Sequence, residues 1–597
     1  MEYYSWCRKD EIMDFNFNRY KFSSERKLTM ASRGAVAASQ PLAAQAGLSL
    51  LQQGGNAFDA ALAAAAVLTV VEPTSNGLGG DCFALFKADD KIRGLNASGY
   101  LPENFVLEQQ SKAVSADSKL QKKQKKQNEQ KGHKGHKGQK REKREDGENG
   151  EQGQKGKNEQ KTGADRLDPY SWQAVTIPGQ LAGWKHLRDN YGSLDWDTIL
   201  RPAWYYASRG FPVSPVVAVN WERALEKYKD ELSGEFRENF LESFSFAGRA
   251  PRPGEIWRSP RQAETFSRLR QAGVEDFYRG ELAERIADFA DRTGGFINFS
   301  DLACYQPREV EPLKIEYRGH EIFELPPNGQ GLIALQALKI LEGFEFADHG
   351  SGEELHVRIE ALKLAFADGK EHIGDPEKLR VNPEILLQES YLSKRRQEIK
   401  EEARIFQPGE IDRSGTVYLA AADDRGNLIS FIQSNYTGFG SGIVVPETGI
   451  SLHNRGYNFV LDEKSVNYPE PGKRPYHTII PGFYRKQGEY LGPFGVMGGF
   501  MQPQGHLQVI QNMVDYGCNP QEALDAPRWR WQQEKKVVLE TGFPDYLAGE
   551  LERRGHEIEI TSRAGGFGRG QIIFQDLENG TLLAAVEPRA DSQAAVY

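Results

Sequence analysis

Between residues 40 and 73 apolar positions recur at helical spacing, with one interruption. The stretch "QPLAAQAGLSLLQQ" (40–53) reads as a helix, "GGN" (54–56) stops it, and "AFDAALAAAAVLTVVEP" (57–73) resumes it as far as Pro73. The second helix is rich in alanine, so it can approach its neighbours closely and is expected in a core. Residues 76–99, "NGLGGDCFALFKADDKIRGLNASG", predict a glycine-rich tight turn and two short strands. The turn is no phosphate-binding loop, because no Gly-Lys-Ser/Thr follows it. Folded pattern resumes at 171, and helical segments dominate to about residue 300. Residues 313–344 predict a strand pair, a Pro/Gly turn and a helix. Residues 353–376 predict a further amphipathic helix. His356 and Glu360 fall one turn apart on it without forming HExxH, so a buried or capping role is expected rather than a metal site.

After residue 415 the period changes to two. Residues 417–422 and 428–433 read as strands around the turn "DDRGN" (423–427). Symmetric pairing about Arg425 sets Thr416 opposite Ser434. Directly opposed residues have Cβ atoms about 4.5–5.5 Å apart, so two hydroxyls are expected to meet at the open end of this hairpin. The preceding residues 397–415 are polar, bear Gly, Pro and Asp, and read as an exposed linker, the kind of segment where chains are cut.

Composition adds few constraints. The 597 residues are 39% hydrophobic and 27% charged, with a net charge of −9, which points to a globular protein without a nucleic-acid surface. Residues 1–27 are charged throughout and read as a poorly ordered N-terminal extension without a secretory signal. The longest apolar run, 60–71, is too short to span a bilayer. The four cysteines, Cys7, Cys82, Cys304 and Cys518, form no CxxC pair, which argues against structural zinc and disulfides and fits a cytoplasmic protein. Residues 112–165 are rich in Lys, Gln, Glu and Gly and almost devoid of apolar side chains. They are expected to be a disordered, solvated insertion; docking on anionic surfaces is the rival reading.

The hairpin suggests chemistry if the Gly415–Thr416 bond is cut. Thr416 would then carry a hydroxyl and a free α-amine, whose pKa of about 7.7–8.0 leaves part of it neutral near pH 7. Such an amine can serve as the base for its own residue's hydroxyl. Ser434 would orient one or the other. Before cleavage, the same hydroxyl can attack the Gly415 carbonyl, where no Cβ hinders approach. In "GVMGGFMQPQG", Gly498 and Gly499 offer backbone N–H groups for a tetrahedral oxyanion; alone, such a pair is more often a turn.

These segments resemble the gamma-glutamyltransferase family of self-processing N-terminal-nucleophile hydrolases. The resemblance runs from about Ser32 to Tyr597, apart from the insertion, through "VTIPGQLAGW", "LPPNGQG", "FGSGIVVPETGI", "GKRPYHTIIPG" and "EPRADSQAAV". It implies an α/β fold, a four-layer αββα sandwich, and cleavage into a large chain (28–415) and a small chain (416–597) that stay associated. It also implies a small-molecule amide substrate; the sequence itself gives no warrant for a metal or an organic cofactor. The family's nucleophile matches Thr416, its second hydroxyl Ser434, and its oxyanion glycines Gly498 and Gly499. Departures touch recognition. Ser98 stands where the family holds a carboxylate-binding arginine, and Asn458 where an aspartate pairs with the substrate amine. Tyr476 and His477 replace two serines, and Val417 replaces the second threonine of the cleavage site. Arg455 is the candidate replacement for carboxylate binding, with Tyr436, Tyr476 and His477 lining the pocket. The closer match is a divergent branch of glutathione-hydrolase-like and oxamate-amidohydrolase-like proteins. Hydrolysis or transfer of γ-glutamyl groups from glutathione-type amides is the leading expectation. The alternatives are an oxamate-like acyl amide and an uncleaved binding protein.

Overall fold

Two seven-stranded antiparallel sheets lie face to face, each backed by helices. The computed structural model describes residues 26–107, 166–346, 350–379, 382–406, 415–562 and 566–597. The chain divides into two units, Met1–Phe105 with Asp165–Tyr597, and Val106–Ala164. The second unit lies almost wholly outside the described residues. So do the N-terminal extension, save Arg26 and Lys27, and the expected insertion.

The strands of the two sheets are numbered along the chain: β1 (Thr29–Ala31), β2 (Gly34–Ala38), β3 (Asp81–Ala88), β4 (Lys91–Ala97), β5 (Arg308–Val310), β6 (Leu313–Tyr317), β7 (His320–Glu324), β8 (Gly415–Asp423), β9 (Leu428–Tyr436), β10 (Gly482–Lys486), β11 (Tyr490–Met497), β12 (Arg569–Asp576), β13 (Leu582–Val586) and β14 (Gln593–Val596). One sheet has the order β14-β2-β8-β9-β3-β4-β5, the other β1-β13-β12-β11-β10-β7-β6. Strand β8 packs across the interface on β11 and β12.

The outer layers follow from the helical patterns. Helices α1 (Pro41–Gln52), α2 (Ala57–Val71) and α3 (Gln180–Tyr191) cover the first sheet. All fifteen residues of α2 are buried, as its alanine content predicts. Small side chains permit the approach: a Cβ on Gly47 of α1 would sit 2.8 Å from the Ala60 carbonyl of α2. Asn56 caps α2 in a reciprocal capping box with Asp59, and Asp423, at the end of β8, accepts from the Ala57 N–H. Helices α4 (Gly331–Leu341), α5 (Gly352–His372) and α6 (Met501–Val514) form the layer over the second sheet. The result is the expected four-layer αββα sandwich. No helix among the described residues is long and apolar enough to cross a membrane.

One expectation needs correction. Residues 397–406 are not simply an exposed linker. Ala403 is buried, with its N–H on the Arg554 carbonyl, and side chains from α5 hold the backbone at Lys400 and Arg404. Residues 407–414 lie outside the described residues.

Candidate active site

The β8–β9 register runs Val417↔Gln433, Tyr418↔Ile432 and onward to Ala422↔Leu428, the symmetric pairing about Arg425. A bulge at the open end pairs Gly415 with Tyr436. Thr416 and Ser434 meet there, both buried, with their hydroxyl oxygens 3.3 Å apart. Ser434 Oγ accepts the Tyr436 N–H at 2.8 Å and lies 2.8 Å from the Gly415 carbonyl oxygen. A carbonyl cannot donate, so the single Ser434 proton goes to Gly415. Thr416 must then be the donor in the hydroxyl pair. The carbonyl before Thr416 is thus hydrogen-bonded by the same hydroxyl that accepts the threonine's hydrogen bond. Gly415 is closely packed: a Cβ would come 3.0 Å from the Thr74 carbonyl oxygen and 3.3 Å from Ser75 Cα, so that backbone would have to give by a few tenths of an ångström. Tyr436 adopts φ of 73°, an uncommon state for a buried non-glycine residue and a sign of local strain at a site.

The sheet extends this pair into a polar row. Ser434 lies opposite Asp81 at the start of β3, and the β3–β4 register, Cys82↔Ala97, carries the row on to Ser98. Three strand spacings put Ser98 about 14 Å from Thr416. Its hydroxyl bonds Asn96 Oδ1 at 2.7 Å. Ser98 is therefore not brought to the Thr416–Ser434 pair.

Asp81 organises the middle of the row. Arg455 grips it in a bidentate pair, Nε to Oδ2 at 2.9 Å and a terminal nitrogen to Oδ1 at 3.0 Å. Another guanidinium nitrogen donates to Thr478 Oγ1 at 2.8 Å, and the group stacks on the Tyr436 ring, 4.6 Å from its centroid. His477 Nε2 donates to Asp81 Oδ2 at 2.8 Å, and His453 Nδ1 lies 3.3 Å from the same oxygen. Burial alone would raise the Asp81 carboxyl; Arg455 and His477 outweigh it and hold the group well below the usual carboxylate range. Burial, with Arg455 nearby, pushes His477 down to about 4. His477 is thus neutral at pH 7. Its Nδ1 accepts the Ile479 N–H at 3.3 Å, which leaves no nitrogen for a substrate. Two expectations change here. Arg455 is buried and its charge is matched internally, and His477 supports Asp81 rather than lining an open pocket.

Tyr476 and Asn458 sit behind the glycine turn. The Tyr476 hydroxyl donates to Gln330 Oε1 at 2.9 Å, and Asn458 Nδ2 donates to the Tyr476 carbonyl at 3.0 Å. Gln330 Nε2 in turn donates to the Thr478 carbonyl at 2.6 Å and the Gly499 carbonyl at 2.9 Å. Both glycines have positive φ, 135° for Gly498 and 61° for Gly499. Their carbonyls accept the Met501 and Gln502 N–H groups, while their own N–H groups donate to nothing among the described residues. Tyr418, two residues on from Thr416, packs its ring on Gly495. That contact lays the strand ending in these glycines against the strand opening with the threonine. Sequence reasoning missed Asp81 and Gln330. The first sat in a glycine cluster read as a turn, and the second in a Pro/Gly turn; only the assembled sheets give them partners.

His356 and Glu360 meet His556, with ligand atoms within 4.8 Å of one another. The cluster is a knot of hydrogen bonds. His356 Nδ1 lies 2.8 Å from His556 Nε2, and its Nε2 donates to the Lys400 carbonyl. Glu360 is ion-paired with buried Lys363 at 2.6 Å. Burial, then Lys363 and other neighbouring groups, push His556 down to about 3.

The family model described as Gamma-glutamyltranspeptidase matches residues 43–133 and 151–597. The chain belongs to this family. Among its relatives, the glutathione hydrolase-like YwrD proenzyme of Bacillus subtilis (strain 168) is 33% identical, covering 95% of this chain and 99% of that protein. The oxamate amidohydrolase proenzyme of Klebsiella pneumoniae is 31% identical, again over 95% and 99%. The crystal structure of a cephalosporin acylase from Bacillus halodurans superposes with a TM-score of 0.86 at 46% identity, covering 98% of this chain and 99% of that one. The divergent branch of the gamma-glutamyltranspeptidase family is where this chain fits.

Proposed function

We propose that the chain is the precursor of a self-processing amidohydrolase whose nucleophile is Thr416 once it becomes N-terminal. The observation that carries this reading is the Thr416–Ser434–Gly415 triangle, in which one serine hydroxyl faces both the attacking oxygen and the carbonyl it would attack. The Thr416 oxygen adds to the Gly415 carbonyl carbon. Its proton passes to Ser434 as the Ser434 proton moves to the Gly415 oxygen. The adduct collapses with loss of the C–N bond, the nitrogen takes up the adduct's hydroxyl proton, and an ester remains on Thr416. Water splits the ester, leaving a carboxylate on Gly415 and a free amine on Thr416.

In turnover that amine takes the Thr416 hydroxyl proton as the oxygen attacks the substrate amide, and passes it to the departing amine. The Gly498 and Gly499 N–H groups stabilise the oxyanion, and water then releases the acyl group. A zwitterionic glutamyl head is poorly matched here. Its ammonium would find Asn458 in place of a carboxylate, and its carboxylate would find Arg455 already neutralised by Asp81. The donor supported best is a small acyl amide without an α-ammonium group, in the broad class to which oxamate amidohydrolase and the acylases among the relatives point. Glutathione-type γ-glutamyl amides are the competing reading, favoured by the YwrD relative's name. The test is a panel of γ-glutamyl, glutaryl and butyryl p-nitroanilides together with oxamate. Glutaryl or butyryl anilide is expected to exceed the γ-glutamyl compound in kcat/KM by at least about tenfold, the scale of one lost charged contact. Preference for the γ-glutamyl anilide would overturn the substrate reading. No turnover and no chain cleavage would favour a binding protein.

A further inference from the structure

Strands β10 and β11 form a hairpin whose ladder stops at Gly482↔Phe494. Continued for two residues, the register would pair Ile480 with Val496. Two side chains of α6 stand in the way. The Ile480 N–H donates to Gln502 Oε1 at 2.8 Å, and the Val496 N–H donates to His506 Nε2 at 3.0 Å. Gln502 and His506 are one helical turn apart, so both project from one face of α6, and both are buried. The helix thus replaces the missing rung with side-chain acceptors. Strand β11 leaves its neighbour and runs on to Gly498 and Gly499.

The tautomer of His506 follows from its partners. Because Nε2 accepts an N–H, Nδ1 carries the proton, and it donates to Glu324 Oε1 at 2.6 Å. Glu324 ends β7 and is fully buried; burial raises its carboxyl and His506 opposes the rise. Its second oxygen has no hydrogen-bond partner among the described residues and lies against Gly331, the first residue of α4, where a Cβ would come within 2.9 Å of it. Gln330, the N-cap of the same helix, holds the Gly499 carbonyl.

We propose that Glu324 and His506 are positioning residues for the oxyanion glycines. The pair fixes the histidine as an acceptor for Val496, keeps the tip of β11 splayed from β10, and so leaves the next two glycines free to turn their N–H groups toward the reacting centre. This rests on the reading of Thr416 as the nucleophile and of Gly498–Gly499 as its oxyanion donors. Those donors matter most in the transition state, so misplacing them lowers kcat and leaves KM nearly unchanged. Self-cleavage provides an internal control, because the Gly415 oxygen is served by Ser434 instead.

The experiment uses full-length protein and whichever anilide of the panel the wild type hydrolyses. Glu324→Met removes the acceptor at similar volume, whereas Glu324→Gln can still accept from His506. For Glu324→Met the expected result is complete chain cleavage, kcat lower by about 10–100-fold and KM within about threefold. Glu324→Gln should stay within about threefold of wild type in both constants. His506→Phe should behave as Glu324→Met does. Equal kcat in the Met and Gln variants would overturn the proposal. So would a raised KM at unchanged kcat, or loss of folded, cleaved protein from both Glu324 variants. A wild type that neither cleaves itself nor hydrolyses any member of the panel overturns the nucleophile reading instead, and this inference with it.

Discussion

At Thr416 the difference between a strand-opening threonine and a nucleophile lies in where one proton sits. Ser434 has a single hydroxyl proton and gives it to Gly415, which makes Thr416 a donor with lone pairs available for attack. Ser434→Ala is therefore expected to slow chain cleavage by at least about 100-fold, the usual scale for a positioned proton carrier, while Ser434→Thr retains it. A time course of the two chains on a denaturing gel checks this. Arg455 yields a second prediction. A buried pair broken on one side costs about 3–5 kcal/mol, so Arg455→Met should lower the melting temperature sharply, and Asp81→Asn added to it should recover part of the loss. A stable Arg455→Met protein with only a raised KM would return Arg455 to substrate binding. Protonation gives a third. His477 and His556 sit near 4 and 3 in the folded chain against an ordinary 6.5. The unfolded chain then binds protons that the folded chain refuses. Stability is full above about pH 6.5 and falls as the pH drops from there toward 4. Thermal melts across that range measure it. Thr416 and Ser434 were legible in the sequence because a tight hairpin fixes its own register. The Asp81–Arg455 pair was not, because its partners are hundreds of residues apart and meet only after β3 joins β9.

Among the elements, α2 and the β8–β9 hairpin followed directly from hydrophobic period, since both are local patterns with clear stops. The helix's Asn56 cap and the hairpin's Asp423 turn are joined by one hydrogen bond, so the two signals support each other. The segment before the proposed cut reads from its composition as an exposed linker, and residues 397–406 depart from that. Its polarity is real, but its backbone carbonyls and N–H groups are what α5 binds, and composition cannot reveal backbone bonding. His356, Glu360 and Lys363 hold Lys400 and Arg404, so the chain enters residues 407–414 from a fixed point. Gly415 belongs to the same scale, since its neighbour across the gap is a loop backbone. Gly415→Ala is expected to slow cleavage by at least about tenfold, because the new methyl would meet the Thr74 carbonyl oxygen at 3.0 Å. Cleavage at the wild-type rate would mean that the Thr74–Ser75 backbone yields freely.

At the scale of the whole molecule, the proposed cut divides a chain whose halves are already interleaved. In the first sheet, β14, β8 and β9 come from the small chain, while β2, β3, β4 and β5 come from the large one. In the second sheet, large-chain strands flank a block of small-chain strands on both sides. Parting the two would open several backbone ladders at once, so they should co-elute under native conditions and separate only in denaturant. The layer order was accessible from the resemblance; the interleaving was not, because it depends on which strands neighbour one another across the cut. N-terminal sequencing of the small fragment from freshly expressed protein tests the assignment of Thr416 most directly. With Thr416 as the nucleophile the fragment begins Thr-Val-Tyr, at Thr416, and is absent from a Thr416→Ala variant. A protein that stays in one piece, or a fragment beginning at any other residue, would contradict that assignment.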